Sequence, residues 1–177
     1  MSLGLPHGHN YLVPHDPNWA RLFGEERRRL RSVLPTDAVD IQHVGSTAVP
    51  GLQAKPIIDI AIAAPSHTFA DDWQDAMASL GYDYPGAIGI PDHRIYGRDP
   101  GIRRFLVHVV DVDGLLWRQF LHFRDLLIAD PQMAAEYEAV KLAAATKYPT
   151  GMRSWYTDAK AGHIVRVLGK DSARNRS

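Results

Sequence analysis

The chain has 177 residues, of which 45% are hydrophobic and 23% charged, as is typical of a globular domain. Twenty basic and twenty acidic residues give zero net charge, which argues against a general nucleic-acid binder. The absence of cysteine excludes disulfides, thiolate zinc sites and a cysteine nucleophile. No apolar stretch approaches the ~20 residues that span a bilayer. Because the N-terminus also lacks signal-peptide features, we expect a cytoplasmic protein with no membrane partner.

The N-terminal segment leads into a well-signalled helix. Residues 1–15 predict irregular chain with one short strand at residues 10–14. A helix follows, because Asp16 can cap free backbone amides and Pro17 loses no hydrogen bond at the first helical position. Apolar side chains then recur at helical spacing as far as Leu34.

Two strands separated by a turn come next. Residues 38–44 alternate apolar and polar side chains and predict a strand. Residues 45–51 predict a turn or a short helical segment, and the nearly all-apolar residues 55–64 predict a strand buried on both faces. A helix then ends at Gly81, and residues 82–103, rich in Gly, Pro and Asp, predict a loop or an irregular hairpin.

The rest of the chain is predicted to be mostly helical. Residues 104–112 predict the last strand. Helices are then predicted over residues 116–127, from the Asp-Pro pair at 130–131 onward, and over residues 152–168. The polar residues 170–177 predict a disordered tail.

The order of these elements predicts the fold class. Strands and helices mix in the first half, and helices dominate the second. We therefore expect one α/β (α+β) domain over residues 1–169, with a small mixed β-sheet and a helical C-terminal half.

The Gly45-Ser46 turn that follows the strand predicted at residues 38–44 is a candidate phosphate site. Its backbone amides and the hydroxyls of Ser46 and Thr47 can donate to an anion, and Lys55 can add a full charge. The spacing excludes a P-loop and a dinucleotide-binding fingerprint. The alternative is a purely structural turn, in which Gly45 avoids a clash and Ser46 caps a helix.

Asp59 interrupts the apolar strand predicted over residues 55–64. Burying even a neutral polar group without a partner costs about 2–7 kcal/mol, so this carboxylate needs a cation, a histidine, a metal or solvent beside it. A structural salt bridge and an active-site carboxylate both satisfy that need.

Six stretches form a pattern that spans most of the chain: residues 13–30, 41–60, 106–110, 120–131, 137–141 and 156–160. In these stretches the chain resembles the GrpB family. The Gly45-Ser46 turn followed by Asp59 is also similar to the signature of the nucleotidyltransferase superfamily. The resemblance implies a nucleotidyltransferase-like core. It also hints at nucleotide or coenzyme A chemistry, since related domains occur fused to dephospho-coenzyme A kinase.

One position departs from the superfamily pattern. Active nucleotidyltransferases carry two alternating acids on this strand, and these hold a divalent metal for phosphoryl transfer. Here Ala61 stands at the second position, and GrpB proteins generally share the lone aspartate. If the strands are neighbours, His43, Asp59 and His108 converge into a metal site for Mg, Mn or Zn, with a transition metal favoured. Otherwise each histidine is a core or strand-end residue.

The resemblance also implies phosphate-binding groups on the C-terminal helices. Arg124, Tyr156 and Lys160 fall within matching stretches and can face a phosphate from across a cleft. The alternative for the charged groups, and for Lys141, is a solvated helix surface. Four arginines near the irregular loop predict a mobile phosphate clamp. They are Arg94, Arg98, Arg103 and Arg104.

Three functional hypotheses follow. In the first, the protein is a metal-assisted nucleotidyltransferase or phosphotransferase, with Asp59 and Lys55 as catalytic residues and a phosphorylated small molecule as substrate. In the second, the incomplete acid pair leaves a module that binds a nucleotide or coenzyme A precursor without turnover. In the third, the domain is structural or binds another protein, and its pocket is vestigial.

Overall fold

The structure is a computed structural model that describes residues 3–84, 92–99, 101–151 and 153–174. The described residues form five α-helices: α1 (Asn18–Val33), α2 (Gln74–Ser79), α3 (Leu115–Ala129), α4 (Pro131–Lys147) and α5 (Arg153–Arg174). They also form seven β-strands: β1 (Leu5–Pro6), β2 (Asp40–Val44), β3 (Ile58–Ala64), β4 (Tyr82–Asp83), β5 (His93–Arg98), β6 (Ile102–Arg103) and β7 (Phe105–Asp111). Short 3₁₀-helices cover Ser46–Ala48 and His67–Trp73.

Five of these strands form a mixed sheet in the order β2–β3–β7–β5–β4. β3 and β7 run parallel, and the other neighbouring pairs are antiparallel. The register sets Asp59 beside Val44 of β2 and Leu106 of β7, and it sets Ala61 beside His108. The mixed sheet and the helical C-terminal half confirm the predicted fold class.

The two faces of the sheet pack against different helices. Ile60 of β3 lies in a core cluster with Leu30 of α1, whereas Ala61 lies in a second cluster with Trp117 of α3. Because side chains alternate along a strand, Asp59 shares the face of Ala61. β3 is therefore buried on both faces, as predicted, and Asp59 lies on the side of the C-terminal helices.

Two predicted helix starts are confirmed. The Asp16 carboxylate accepts a hydrogen bond of 2.9 Å from the Asn18 amide, although the helix begins one residue after Pro17. The Asp130 carboxylate accepts one of 3.0 Å from the Met133 amide. Both caps satisfy amides that have no partner within the helix.

The segment at residues 82–103 is more regular than predicted. It contains β4, β5 and β6, and β5 pairs with β7 inside the sheet. Residues 85–91 and 100 of the predicted loop lie outside the described residues. The absence of a side chain at Gly97 of β5 leaves room for the Arg103 side chain, because an added Cβ would lie 1.7 Å from Arg103 Nη1. The antiparallel pairing of β4 with β5 confirms the predicted irregular hairpin, although glycine and aspartate, which are depleted in strands, did not indicate that β5 also joins β7.

The first strand lies elsewhere than expected. No regular strand forms at the described residues 10–14, where Val13 makes a single bridge to Ala54. Instead Leu5 and Pro6 pair with β6, far along the chain. Which N-terminal residues form a strand depends on pairing with the distant β6, so the local sequence pattern did not reveal it.

The four arginines of the predicted phosphate clamp are held in ion pairs. Their carboxylate partners are Asp71 for Arg94 (3.1 Å), Glu26 for Arg98 (2.5 Å), Asp83 for Arg103 (2.7 Å) and Asp99 for Arg104 (3.6 Å). These pairs tie the β4–β6 region together and argue against a mobile clamp. Of the four, Arg103 also lines the cleft described below.

The last helix is longer than predicted. α5 continues to Arg174, past the predicted end at residue 168 and into the predicted disordered tail. Residues 175–177 of that tail lie outside the described residues. Within the described part of the chain, no helix is long and apolar enough to cross a membrane.

Candidate functional site

A cleft of about 380 Å³ opens on the face of the sheet that carries Asp59. Its lining includes seven residues already named from the sequence: Ser46, Thr47, Lys55, Asp59, Arg103, Tyr156 and Lys160. Residues 5–10 also belong to the lining and form its N-terminal wall. Residues from widely separated parts of the chain therefore meet at one cavity.

Gly45 lies directly against the Asp59 carboxylate. Its backbone has φ +70° and ψ −170°, a conformation that is essentially restricted to glycine. A Cβ at this position would lie 2.6 Å from Asp59 Oδ2. The turn therefore needs glycine both for its dihedral angles and for the close approach of the carboxylate.

Asp59 has an imidazole partner. His108 Nε2 lies 3.4 Å from Asp59 Oδ1, and His108 Nδ1 lies 2.9 Å from His93 Nε2. The Asp59 side chain is 31% exposed and reaches the cleft, while both histidines are buried. His93 carried no sequence signal as a site residue, because it lies in the Gly-, Pro- and Asp-rich segment predicted as a loop or an irregular hairpin.

The structure does not bring His43 to this pair. His43 is opposite Ile60 in the register, so its side chain lies on the other face of the sheet. Its ring stacks on Phe23 of α1 at 4.8 Å, and its Nε2 lies 3.0 Å from Thr47 Oγ1. The predicted metal ligands thus separate into a pair, Asp59 and His108, and a core histidine.

The donor set at the cleft does not fit the two-acid metal site of the superfamily. Asp59 supplies one carboxylate, and Ala61 supplies no ligand atom. Magnesium prefers oxygen ligands, so an imidazole is a poor replacement for the second acid. Among the described residues, the group of three whose ligating atoms all lie within 4.8 Å is His67, Asp92 and Asp111, and none of these lines the cleft.

Two lysines and an aromatic ring line one wall of the cleft. Lys55 Nζ lies 3.5 Å from the centroid of the Tyr156 ring, and Lys160 Nζ lies 4.7 Å from it. Lys55 Nζ also donates to Asn10 Oδ1 at 2.6 Å, and Asn10 Nδ2 donates to the Tyr148 carbonyl at 2.8 Å. Asn10, which is buried, is a site residue that carried no sequence signal.

The Ser46 side chain acts on the Tyr137 phenol of α4, whose pKa it lowers against the larger opposing effect of burial. Burial raises the pKa of Tyr137 to about 12 and also raises that of Tyr156, so both phenols stay protonated at neutral pH. The Ser46 side chain does not cap the 3₁₀-helix, whose N-cap is Gly45.

Thr47 and Arg124 make structural contacts. Thr47 is buried, and its hydroxyl donates to the Ile57 carbonyl at 3.3 Å. Arg124 Nη1 donates to the His43 carbonyl at 3.0 Å, which ties α3 to β2. Arg124 is not among the described residues that line the cleft, so its predicted role across the cleft lacks the required geometry.

Lys141 is buried, although the sequence analysis treated it as solvated surface. It is 1% exposed, and its ammonium donates to the Gln53 carbonyl. Burial, together with the positive charge of Lys160, lowers the pKa of Lys141 to about 7. Helical spacing alone did not reveal this burial, because it results from packing between α4 and the segment before β3.

Stability is expected to fall as the pH drops through the range where histidine titrates. Burial lowers the pKa of His43 to about 4 and that of His93 to about 3, from an ordinary value of 6.5. Below pH 6.5 the unfolded chain therefore binds protons that the folded chain does not. Each histidine removes up to ~1.4 kcal/mol of stability per pH unit on the way down to its folded pKa.

Urea unfolding at stepwise pH measures this effect. His43→Phe and His93→Phe should each flatten the decline, and the exposed His122→Phe should leave it unchanged. A free energy of unfolding that stays constant between pH 6.5 and about 4 would contradict the burial of these rings as neutral groups.

Comparison with known proteins places this geometry in a family. A sequence model of the GrpB protein family matches residues 10–170. The chain belongs to the GrpB family. The glutamate-rich protein GrpB of Alkalihalophilus pseudofirmus is 32% identical over 173 residues, which cover 95% of this chain and 99% of that protein. A dephospho-CoA kinase of Mycolicibacterium paratuberculosis is 33% identical over 182 residues, which cover 84% of this chain and 44% of the kinase.

Solved structures agree with this assignment. A crystal structure of GrpB from Enterococcus faecalis has a TM-score of 0.81 at 29% identity, and the match covers 90% of this chain and 98% of that one. A structure of the Cid1 poly(U) polymerase bound to MgATP has a TM-score of 0.52 at 14% identity, and that match covers 76% of this chain and 44% of the polymerase. This GrpB-family protein therefore has a nucleotidyltransferase-like fold.

The GrpB match includes most of the cleft. Ser46, Lys55, Asp59, Tyr156 and Lys160 all fall within the matched region. Residues 5–9 of the N-terminal wall precede it.

Proposed function

We propose that this GrpB-family protein binds a nucleotide or another small phosphorylated molecule in the cleft. One observation carries the proposal: Lys160 of α5 lines the same cavity as Ser46, Lys55 and Asp59, although it lies far along the chain from these three neighbouring residues. A cavity of about 380 Å³ falls within the range of small-molecule sites.

The chemistry of the lining favours a phosphate group. The two ammonium groups supply positive charge, and the Ser46 hydroxyl can donate a hydrogen bond. The face of Tyr156 lies under both cations and holds them at one wall. A phosphate at this wall leaves the rest of the ligand near Asp59.

The lone carboxylate favours binding that needs no divalent metal. Asp59 pairs with His108, and Ala61 offers nothing to a second coordination position. The lysines can neutralise a phosphate without a metal ion.

The kinase relative suggests which ligands to test. The region that it shares with this chain makes up under half of a protein named dephospho-CoA kinase. Dephospho-CoA therefore joins the common nucleotides as a candidate ligand.

Group transfer is the second candidate function, and the Asp59–His108 pair favours it. In this reaction the oxygen of an acceptor hydroxyl forms a bond to phosphorus while its proton passes to the Asp59 carboxylate. The bond from phosphorus to the leaving oxygen breaks, and Lys55 and Lys160 balance the charge on the transferred group.

Thermal shift with a ligand panel tests the proposal. The panel contains ATP, GTP, CTP, UTP, coenzyme A and dephospho-CoA, each with EDTA, Mg, Mn or Zn. We expect at least one ligand to raise the melting temperature in EDTA. A shift that requires a metal would support the metal-assisted hypothesis instead, and no shift with any ligand would favour a structural domain.

Lys55→Met is expected to weaken the ligand found in this panel by about 10- to 100-fold, because a hydrogen bond to a charged group contributes about 1.5–3 kcal/mol. Methionine keeps the aliphatic stem beside Tyr156 and removes the charge. Isothermal titration measures the affinity. The matched control is Lys147→Met, since Lys147 also lies over a tyrosine ring, at 5.2 Å, but is exposed and outside the cleft. Equal losses in both variants would sink the assigned site.

A further inference from the structure

We propose that His93 is a positioning residue for the cleft carboxylate: it holds His108 in the tautomer whose Nε2–H faces Asp59. The inference rests on the proposed function, because Asp59 is the one of these three side chains that lines the cleft in which the ligand is proposed to bind. It adds a residue that lies beneath the cleft and touches no ligand itself.

The three side chains form a continuous path from the core to the cleft. His93 Nε2 lies 2.9 Å from His108 Nδ1, and His108 Nε2 lies 3.4 Å from Asp59 Oδ1. The histidines are 5% and 9% exposed, and their rings stack with centroids 5.0 Å apart. They lie on neighbouring strands, β5 and β7, which fixes their separation.

The chemistry of the three groups assigns the donors. A carboxylate only accepts, so His108 Nε2 carries the proton that faces Asp59. A neutral His108 ring then presents a lone pair at Nδ1, so His93 Nε2 is the donor to it. Burial lowers the pKa of His93 to about 3, which keeps that ring neutral near neutral pH.

The surroundings favour one tautomer over the other. Phe120 of α3 packs beside both rings, with centroids 6.2 Å from His93 and 5.1 Å from His108. In the opposite tautomer of His108, Nε2 would present a lone pair to the Asp59 carboxylate. Two lone pairs that face each other in a buried position repel, and this is costly because no water molecule supplies a proton between them.

The path has a consequence for the ligand. A carboxylate that accepts from an imidazole N–H can accept further hydrogen bonds, and without a second acid it is poorly suited to hold magnesium. The cleft therefore suits a phosphorylated molecule that presents a hydroxyl group to Asp59 while its phosphate contacts the lysine wall.

Nuclear magnetic resonance of the ligand-free, ¹⁵N-labelled chain tests the tautomer. Long-range ¹H–¹⁵N spectra at slightly alkaline pH distinguish a protonated ring nitrogen from an unprotonated one. We expect His108 to carry its proton at Nε2 in the unaltered protein. His93→Phe should lower the share of the Nε2–H tautomer of His108, because phenylalanine fills the space but donates nothing to Nδ1, and only Asp59 then favours that tautomer.

Two further variants separate the hydrogen bond from packing. In His93→Gln, the side-chain amide can donate in place of Nε2, so the Nε2–H tautomer of His108 should be retained. Phe120→Leu removes the ring contact and keeps both histidines, so it should lower stability and leave the tautomer unchanged.

The outcomes are distinct from those of the ligand panel. Loss of the single tautomer in His93→Phe with retention in His93→Gln supports the proposal. An unchanged His108 spectrum in His93→Phe overturns it, as does an equal change in His93→Phe and Phe120→Leu. Failure of every ligand to bind would remove the proposed function and leave the tautomer result intact.

Discussion

Gly45→Ala is expected to lower the free energy of unfolding by about 3–5 kcal/mol, combining backbone strain with overpacking. The strain arises because Gly45 has φ +70° and ψ −170°. The overpacking arises because the new Cβ would lie 2.6 Å from Asp59 Oδ2. Urea unfolding measures the loss, and isothermal titration measures the accompanying loss of ligand affinity as Asp59 is displaced.

Gly51→Ala is the matched control for this substitution. Gly51 has φ +80°, but nothing lies within 4 Å of an added Cβ. It should therefore lose only the backbone contribution, about 1–2 kcal/mol. Similar losses in the two variants would show that the close approach of Gly45 to Asp59 is not important for stability.

Glu26→Leu is expected to destabilise the protein by about 3–5 kcal/mol, because it removes the nearest carboxylate partner of Arg98, whose side chain is only 19% exposed and whose other partner, Asp99, lies 3.9 Å away. Glu26 is 2% exposed and accepts from Arg98 Nη1 at 2.5 Å, from Arg29 Nη1 at 3.2 Å and from the Tyr82 hydroxyl at 3.0 Å. These contacts join α1 to β4 and β5. Denaturant unfolding gives the change in free energy.

Two controls define the Glu26 result. Glu25→Leu removes an exposed carboxylate of the same helix that pairs with Arg21. It should change stability by less than about 1 kcal/mol. Leucine at both Glu26 and Arg98 should recover part of the loss, because no unpaired charge remains between these two positions. A double variant that loses the sum of the two single effects would contradict the buried ion pair.

Both predictions concern contacts that position the strands lining the cleft. The turn at Gly45 determines where the Asp59 carboxylate lies. The Glu26–Arg98 pair anchors β5, the strand that carries His93 and lines the cleft through Ile95 and Gly97. Loss of either contact should therefore displace cleft residues on β3 or β5.

The sequence by itself determined the elements that depend on neighbouring residues. The caps at Asp16 and Asp130, the apolar run of β3 and the long C-terminal helices follow from local periodicity and hydrogen bonding. The same local signals identified the Gly-Ser turn and the carboxylate beside it, because a charge in an apolar strand is costly anywhere.

Only the tertiary structure decided which side chains meet. Strand register put His108 beside Ala61, on the same face of the sheet as Asp59, and put His43 on the opposite face, since a shift of one residue reverses the side of the sheet. Pairing between distant segments placed Asn10 against Lys55 and joined β5, part of the predicted loop or irregular hairpin, to β7. These outcomes depend on contacts between residues far apart in the chain, and such contacts leave no periodic trace in the sequence.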